Sequence, residues 1–316
     1  RSLVKPRFKV VVNGKDITQT INQNASKISF HDEDGTSSDD IRLSVEGSFR
    51  RPAYGDEIKL WIGDENAMMF CGTFAVQNSK VSVSNGSKIE ISATGVDFSS
   101  GTKVKRNKSY ENLSIKQVVT QIAKKQELKV ECDYDDLFIV HIEQSNESDL
   151  HFLKRLASDY NALFAIKNNT LIFKQKVKGD KKSDGLPRYS LNIKDISSYD
   201  IENTNKQKYN SCTASWHDTK ENKQKSVTVG DGEPVKHIKG SYQNEADAKS
   251  KATAALQKAS SQTKVGNISC AGFVCYAGGV LNLSGTVEDD GEYHIKKVNH
   301  DIDTTAGWKI SMEIEN

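Results

Sequence analysis

The stretch from 141 to 166, HIEQSNESDLHFLKRLASDYNALFAI, brings imidazole, amide, hydroxyl and carboxyl side chains close together. A nucleophile in this stretch would be Ser148, with Asp149, His151 or His141 as its helpers. A catalytic triad needs a base that reaches the serine and a third group that orients the base, normally from separate elements, whereas Ser148 and Asp149 are adjacent. No Gly-x-Ser-x-Gly elbow exposes the hydroxyl. The sequence therefore predicts no catalytic residue here.

Helix capping explains the same side chains. The serine and aspartate precede a run with helical spacing, so they would offer acceptors to free backbone N–H groups and a negative charge at the positive helix end, each worth about 1 kcal/mol. Three leucines then share one face and would each contribute about 1.5–3 kcal/mol on burial. The predicted structural cap and apolar face consist of Gln144, Ser148, Asp149, Leu150, Leu153 and Leu156.

Neither the cysteines nor the acidic residues form a metal-binding pattern. The five cysteines are odd in number and scattered, which argues against a disulfide framework and favours a reducing compartment. Cys270 and Cys275 are an odd number of residues apart in an apparent strand, so they should face opposite sides. The acidic run HDEDGTSSDD fails the EF-hand template, because counting from Asp32 puts Leu43 at the twelfth position. We expect a solvated loop there, and no metal or cofactor site.

The charge balance gives no support to two classes of partner. With 44 basic and 42 acidic residues among 316, the net charge of +2 provides no field that would attract nucleic acid or an anionic membrane. The basic clusters at 103–108 and 176–182 lack the interleaved aromatic residues that stack on bases, so no stable nucleic-acid binding is predicted. Purely apolar runs, such as 10–12, are only a few residues long, which predicts no integral membrane association.

Hydrophobic periodicity divides the chain into three parts. Residues 1–104 alternate as strands, with turn signals at Asn13-Gly14 and Asn85-Gly86. Residues 105–204 contain a capping box at Ser114, two helices, a strand pair turned at 168–169 and a charged linker at 176–187. Residues 205–316 return to strands, interrupted by one alanine-rich helix that follows Asn244.

The two β regions share a weak internal repeat. GDEIKLWIG, GTFAVQ and GSKIEISA in the first part run parallel to GGVLNLSG, GEYHIKKV and AGWKISME in the last. Phe74 follows Gly72 by two residues, as Tyr293 follows Gly291. One β module used twice accounts for this similarity. The predicted fold is α+β and mainly β, with two similar antiparallel β-barrel domains (1–104 and 205–316) and a small α/β module (105–204) inserted between them.

The ordered set of motifs resembles one known family. A histidine is followed by Gln144, by ESDL at 147–150 and by FLKRLA at 152–157, in a pattern similar to the phage late-control D proteins, the tail baseplate hub family that includes Mu-like prophage tail proteins. VVNGKDIT, HDEDGTSSDDIRLSVEG, GSYQNEADAKSKATAAL and GEYHIKKVNHDIDTTAGWKISMEIE match the same family in order. The segment CAGFVCYAGGVLNL departs from the family pattern, so details of the second barrel do not follow from the resemblance.

The resemblance implies a non-enzymatic structural hub. Members are similar to the hubs of contractile phage tails and to the N-terminal part of type VI secretion spike proteins. They form trimers that join a hexameric tail tube to a trimeric spike. Two like barrels in each of three chains would give a pseudo-sixfold ring. The expected location is the virion tail baseplate, after assembly in the bacterial cytoplasm; a tail-associated cell-wall hydrolase and a glycan-binding tail adhesin are the alternatives.

Overall fold

A computed structural model describes residues 6–34, 39–96, 105–135, 137–167, 170–175, 186–204, 209–218, 220–260 and 263–316. The chain packs as two compact units. The sheet unit comprises Arg1–Phe98, Leu186–Glu202 and Val265–Asn316, and the inserted unit comprises Ser99–Gly185 and Asn203–Lys264. Each unit is therefore built from separate segments of the chain.

The first part of the chain alternates buried and exposed side chains, the period that places one face of each strand on a core. Asn13 and Gly14, with φ of 48° and 80°, make the first turn, and Asn85 and Gly86, with φ of 53° and 135°, make a later one, as predicted. The elements are β1 (Arg7–Val12), β2 (Lys15–Asp16), α1 (Thr18–Asn22), β3 (Ser26–Glu33), β4 (Asp40–Glu46), β5 (Glu57–Gly63), β6 (Met68–Val83) and β7 (Ser87–Gly95).

The middle part changes to mixed helix and strand. Ser114 and Gln117 form the predicted capping box: the Ser114 hydroxyl accepts from the Gln117 N–H at 3.1 Å, and the Gln117 side chain accepts from the Ser114 N–H at 2.8 Å. The predicted turn at 168–169 lies outside the described residues, as does linker segment 176–185. The elements are β8 (Lys105–Ser114), α2 (Ile115–Lys125), β9 (Lys129–Cys132), β10 (Phe138–Ser148), α3 (Asp149–Asp159), β11 (Ala162–Lys167) and β12 (Thr170–Gln175).

The last part returns to strands around one helix. The predicted helix follows Asn244, which caps it, since the Asn244 Oδ1 accepts from the Asp247 N–H at 2.9 Å. The elements are β13 (Arg188–Asn192), a 3₁₀ turn (Ile193–Asp195), β14 (Ile196–Thr204), β15 (Ser211–Asp218), β16 (Lys223–Gly230), β17 (Val235–Tyr242), α4 (Glu245–Ser260), β18 (Thr263–Ala271), β19 (Val280–Ser284), β20 (Gly291–Asp303) and β21 (Gly307–Glu315).

In the sheet unit, the described strands form one 13-stranded sheet with a single core. Its strand order is β14-β18-β21-β20-β3-β4-β7-β6-β5-β1-β2, and β19 pairs with both β20 and β13. Buried apolar side chains from both ends of the chain form one continuous cluster beneath it. The prediction of a mainly β, α+β fold is therefore confirmed. Among the described residues no sheet closes on itself, so the predicted barrels are not confirmed.

The sheet contains the same six-strand arrangement twice. In the first repeat the order is β3-β4-β7-β6-β5-β1, and in the second it is β14-β18-β21-β20-β19-β13. When the six strands of each repeat are counted along the chain, strands with the same count occupy the same position in the sheet order of the two repeats. One pairing differs, because β1 runs antiparallel to β5 whereas β13 runs parallel to β19. The inserted unit follows the first repeat and also interrupts the second between β14 and β18.

Local irregularities recur at the same points of both repeats. A bulge shifts the register of β6 against β7 between Val76 and Asn78, and another shifts β20 against β21 between Ile295 and Lys297. The glycine of each Gly-x-aromatic motif has positive φ, 134° at Gly72 and 149° at Gly291. Two bulges and two such glycines at matching places support a structural duplication.

The described residues of the inserted unit form three small sheets. β10 pairs with β8, β12 joins β11 to β9, and β15 joins β16 to β17. α4 packs against the last of these through Ala248 and Ala252, which contact Cys212, Ala214 and Trp216. Small alanine side chains allow the helix to lie close to the strands.

Candidate functional site

The segment singled out by the sequence forms the junction of β10 and α3 in the inserted unit. Ser148 is the N-cap residue of α3, with extended backbone (φ −73°, ψ 159°). Its Oγ accepts a hydrogen bond from the His151 backbone N–H at 3.2 Å. The hydroxyl thus satisfies one of the free donors at the helix start.

The imidazole groups that could serve as bases are engaged by carboxylates. His151 Nδ1 lies 3.0 Å from Glu147 Oε2, and His141 Nε2 lies 3.3 Å from Glu143 Oε1. Arg155 Nη2 donates to Glu147 Oε1 at 2.5 Å. Burial acts to raise the pKa of Glu147, but hydrogen bonds from Arg155 and His151 outweigh it and hold the pKa below its ordinary value. These contacts fix side chains around the cap and do not assemble a serine–base pair.

Asp149 is the centre of a buried polar cluster. Its carboxylate is 1% exposed; Gln144 Nε2 donates to Oδ1 at 2.9 Å, and Lys125 Nζ and Gln126 Nε2 each donate to Oδ2 at 3.1 Å. Arg106 Nε lies 3.6 Å from the same Oδ2. The cluster ties β8, α2 and β10 to the first turn of α3. Because the carboxylate is buried, its charge depends on these amide and cationic side chains for compensation.

The apolar face of α3 is the other half of this arrangement. Leu153 and Leu156 are buried, and Leu150 is half-buried. Phe152, which the predicted face omitted, is fully buried and stacks on Tyr110 with ring centroids 5.4 Å apart. The omission arose because the face was traced through leucines alone.

A second polar arrangement lies in the sheet unit, where the two repeats meet. β20 pairs antiparallel with β3 along seven residue pairs, from Lys297 opposite Glu33 to Asp303 opposite Lys27. Both end pairs are ion pairs, at 2.9 Å and 3.6 Å. Side chains therefore reinforce the backbone ladder at both ends of this contact, which we call the repeat junction.

Hydrogen-bonded side chains continue along the repeat junction. Ser29 Oγ donates to Asp301 Oδ1 at 2.6 Å, and His31 Nδ1 lies 2.6 Å from Asn299 Oδ1. These pairs join residues 272 and 268 positions apart in the chain. Nothing in the local sequence pattern signals them, so the sequence reasoning missed this site.

His300 is a buried, titratable member of the repeat junction. Its ring stacks on Phe30 at 5.7 Å and 17°, and its Nε2 donates to the Cys275 carbonyl at 3.0 Å. Within the described chain, Nδ1 is buried and has no hydrogen-bond partner. Burial lowers the pKa of His300 to about 4, against the smaller raising effects of Asp32 and the Cys275 carbonyl. The imidazole is neutral at pH 7, with its proton on Nε2.

Two expectations are corrected by the sheet unit. The acidic run was expected to be solvated, but Asp32 belongs to β3, is 1% exposed and accepts from the Ala277 N–H at 2.8 Å. The carboxylate is therefore the acceptor for a buried backbone N–H group and is not solvated. The argument from alternating faces does not apply to Cys275, because β18 ends at Ala271. Cys275 is nonetheless buried, and all five cysteines are free.

No cluster of three or more His, Cys, Asp or Glu side chains suited to a metal ion occurs in the described part of the chain. Within the same residues, no helix has both the length and the apolar character needed to cross a bilayer.

The fold is that of phage tail proteins. The structure superimposes on a tail protein of Neisseria meningitidis MC58 with a TM-score of 0.71, covering 99% of this chain and 97% of that one at 12% identity. A type VI secretion system component of Escherichia coli gives a TM-score of 0.56, with 98% and 76% covered at 12% identity. At such identities these similarities concern the fold alone.

Sequence similarity identifies the family of this chain. The family model described as phage tail baseplate hub (GPD) matches residues 77–306. A probable baseplate hub protein of Escherichia phage 186 is 26% identical over 265 residues, which cover 80% of this chain and 67% of that protein. The chain belongs to the phage tail baseplate hub family, and its place is the virion tail baseplate.

Proposed function

We propose that the chain acts as a homotrimeric baseplate hub in which two repeats from each of three chains form a pseudo-sixfold ring. One face of this ring would bind a hexameric tail tube, and the other a trimeric spike. The observation that carries the proposal is the duplicated six-strand arrangement, since a trimer of duplicated chains presents six similar modules. The contractile-system fold similarities also support it.

We further propose a structural role for the α3 cap. Ser148 serves a backbone donor, and Asp149 is held by amide and cationic side chains. The cap, with Gln144 and the apolar face at Leu150, Leu153 and Leu156, would hold the inserted unit in one conformation. This assignment favours a hub over a cell-wall hydrolase, because the hydroxyl and carboxylate already have structural partners.

Electron microscopy of negatively stained particles tests the ring. The proposal expects ring views with six similar densities around a central axis, alone or in the presence of the spike protein. Views with three unequal densities, or only single chains at micromolar concentration, would contradict it. A zymogram on peptidoglycan tests the enzymatic alternative: clearing by the isolated chain would favour a hydrolase.

A further inference from the structure

Two strand edges of the sheet unit have no strand partner among the described residues. β5 covers β6 only as far as Ala75, so residues 77–83 pair with β7 on one side alone. Within the described part of the chain, β14 ends the sheet and pairs only with β18. Exposed edges of this kind are templates for another strand unless they are blocked. Neither stretch contains a proline, which would block pairing.

The repeat junction shows how such edges pair in this fold. The bulges of β6 and β20 align Asn78 with Lys297, so the edge at 78–83 corresponds to 297–302 of β20. In β20 this segment pairs with β3, and the counterpart of β3 in the second repeat is β14. One such junction, between β3 and β20, is thus formed within the chain. The two equivalent strand edges, in β14 and β6, remain available for a second one.

The register of the second junction follows from Gly266 in β18. Gly266 occupies the place that Ile41 occupies in β4, and Ile41 pairs with Phe30 of β3. A Cβ built on Gly266 would lie 2.3 Å from the Asp200 carbonyl oxygen and 2.9 Å from the Cα of Ile201. We therefore infer that Ile201 faces Gly266 as Phe30 faces Ile41. Residues 199–202 of β14 therefore correspond to residues 28–31 of β3.

In this register the facing side chains are complementary. Ser82 and Asp200 correspond to Asp301 and Ser29, so the serine–aspartate hydrogen bond of the repeat junction would form again with its partners exchanged. In the same register Lys80 would face Glu202, and the opposite charges of this second pair would attract each other.

The same register buries exposed apolar side chains. Val83 is 79% exposed and Tyr199 is 41% exposed in the single chain. Their counterparts, Ile302 and Ile28, face each other at the repeat junction and are almost completely buried. Exposed apolar side chains on a paired surface favour association because their burial removes apolar area from water.

We propose that β14 of one chain pairs antiparallel with residues 78–83 of a second copy, reproducing the repeat junction between subunits. The proposal rests on the proposed function for the number of chains, since head-to-tail contacts close a ring only at the right rotation. In the single chain Arg51 Nη1 donates to the Ser79 carbonyl at 3.2 Å. Both side chains at this contact reach solvent, and the incoming strand displaces the guanidinium.

Disulfide cross-linking tests the register. At the repeat junction, hydrogen bonds from Asp34 N to Lys296 O and from Thr304 N to Ser26 O make Ser29–Asp301 a non-hydrogen-bonded pair by alternation. Such pairs have Cα atoms about 4.5 Å apart, within disulfide range. The double variant Ser82→Cys with Asp200→Cys, in a Cys132→Ser background, should therefore form intermolecular disulfides that end at a covalent trimer on a non-reducing gel.

A matched pair controls for chance collision. Ser197 is also exposed but lies three residues from Asp200, so its side chain points to the other face of β14. Ser82→Cys with Ser197→Cys should stay unlinked under the same oxidation. Equal cross-linking of both pairs overturns the proposed register.

Charge exchange tests the same contact without new thiols. Lys80→Glu should weaken association about fivefold by placing two glutamates opposite each other, and Glu202→Lys should do the same. The double exchange should restore association. Equal weakening in the single and double variants overturns the pairing of these two residues.

The outcomes separate this proposal from the proposed function. A trimer that forms without Ser82–Asp200 cross-links, and that tolerates Lys80→Glu, overturns this interface but leaves the hub ring intact. Specific cross-links in open chains that never close at three subunits support the interface and overturn the trimeric ring. A chain that neither associates nor cross-links overturns both.

Discussion

The neutral, buried imidazole of His300 makes the stability of the sheet unit depend on pH. The folded-state pKa is about 4, lowered by burial, whereas an unfolded histidine titrates near its ordinary value of 6.5. Between these values the unfolded chain binds a proton that the folded chain does not bind. The free energy of unfolding therefore falls as the pH is lowered through this window.

The magnitude follows from the two pKa values. The full pKa difference corresponds to a loss of about 3 kcal/mol in the free energy of unfolding, which is complete only below pH 4. At pH 5 the loss is about 2 kcal/mol. The side chain is fully buried, so solvent screening does not reduce this figure appreciably. A loss of this size is a large fraction of the stability of an ordinary domain.

Replacing the imidazole isolates its contribution. His300→Phe keeps an aromatic ring beside Phe30 and removes the titrating group. Urea unfolding at pH 7.5 and pH 5, followed by tryptophan fluorescence, gives the loss of unfolding free energy for each protein. Carboxylates titrate in both proteins, so the difference between the two losses reports the imidazole alone.

The expected result is that the native chain loses about 2 kcal/mol more than the variant on acidification. The variant will also lose the hydrogen bond to the Cys275 carbonyl, which lowers its stability at both pH values and cancels in the comparison. Equal losses in the two proteins would refute the assignment of a depressed histidine pKa at the repeat junction.

Three further substitutions probe other parts of the fold. Asp149→Asn should lower the free energy of unfolding by about 2 kcal/mol in urea denaturation, because the side-chain donors of Lys125 and Gln126 lose their carboxylate acceptor; an unchanged free energy of unfolding would contradict the structural role of the carboxylate. Ser114→Ala should cost about 1 kcal/mol through loss of the helix cap, measured in the same way; an unchanged denaturation midpoint would be inconsistent with the cap. Gly266→Ala should lower the free energy of unfolding by about 1–3 kcal/mol, since the new Cβ would lie 2.3 Å from a β14 carbonyl oxygen. Gly95→Ala should cost less, because its nearest contact would be at 3.3 Å. A larger loss for Gly95→Ala in thermal denaturation would argue against the β14–β18 packing.

Features set by short-range chemistry could be predicted from the sequence. Asn–Gly pairs fixed the turns at Asn13 and Asn85 because both positions require positive φ. The capping box at Ser114 and the start of a helix after Asn244 were equally local. The internal repeat was also visible, since glycine and aromatic residues recur in the strands that form equivalent hairpins.

Features that depend on distant pairing could not be predicted. The burial of Asp32 follows from a backbone donor at Ala277, 245 positions away in the chain. The partners of Asp149 come from three other elements, so the sequence around α3 showed only a charged helix start. In both cases a side chain that looks solvated by local pattern is buried by a contact that no periodicity encodes.

The central claim is that duplicated chains assemble around a threefold axis. Light scattering of the full chain at several concentrations, with and without the trimeric spike protein, measures this directly. The account predicts a mass of three times 35.0 kDa, either alone or once the spike is added. A mass of 35.0 kDa at every concentration, unchanged by the spike, would contradict it.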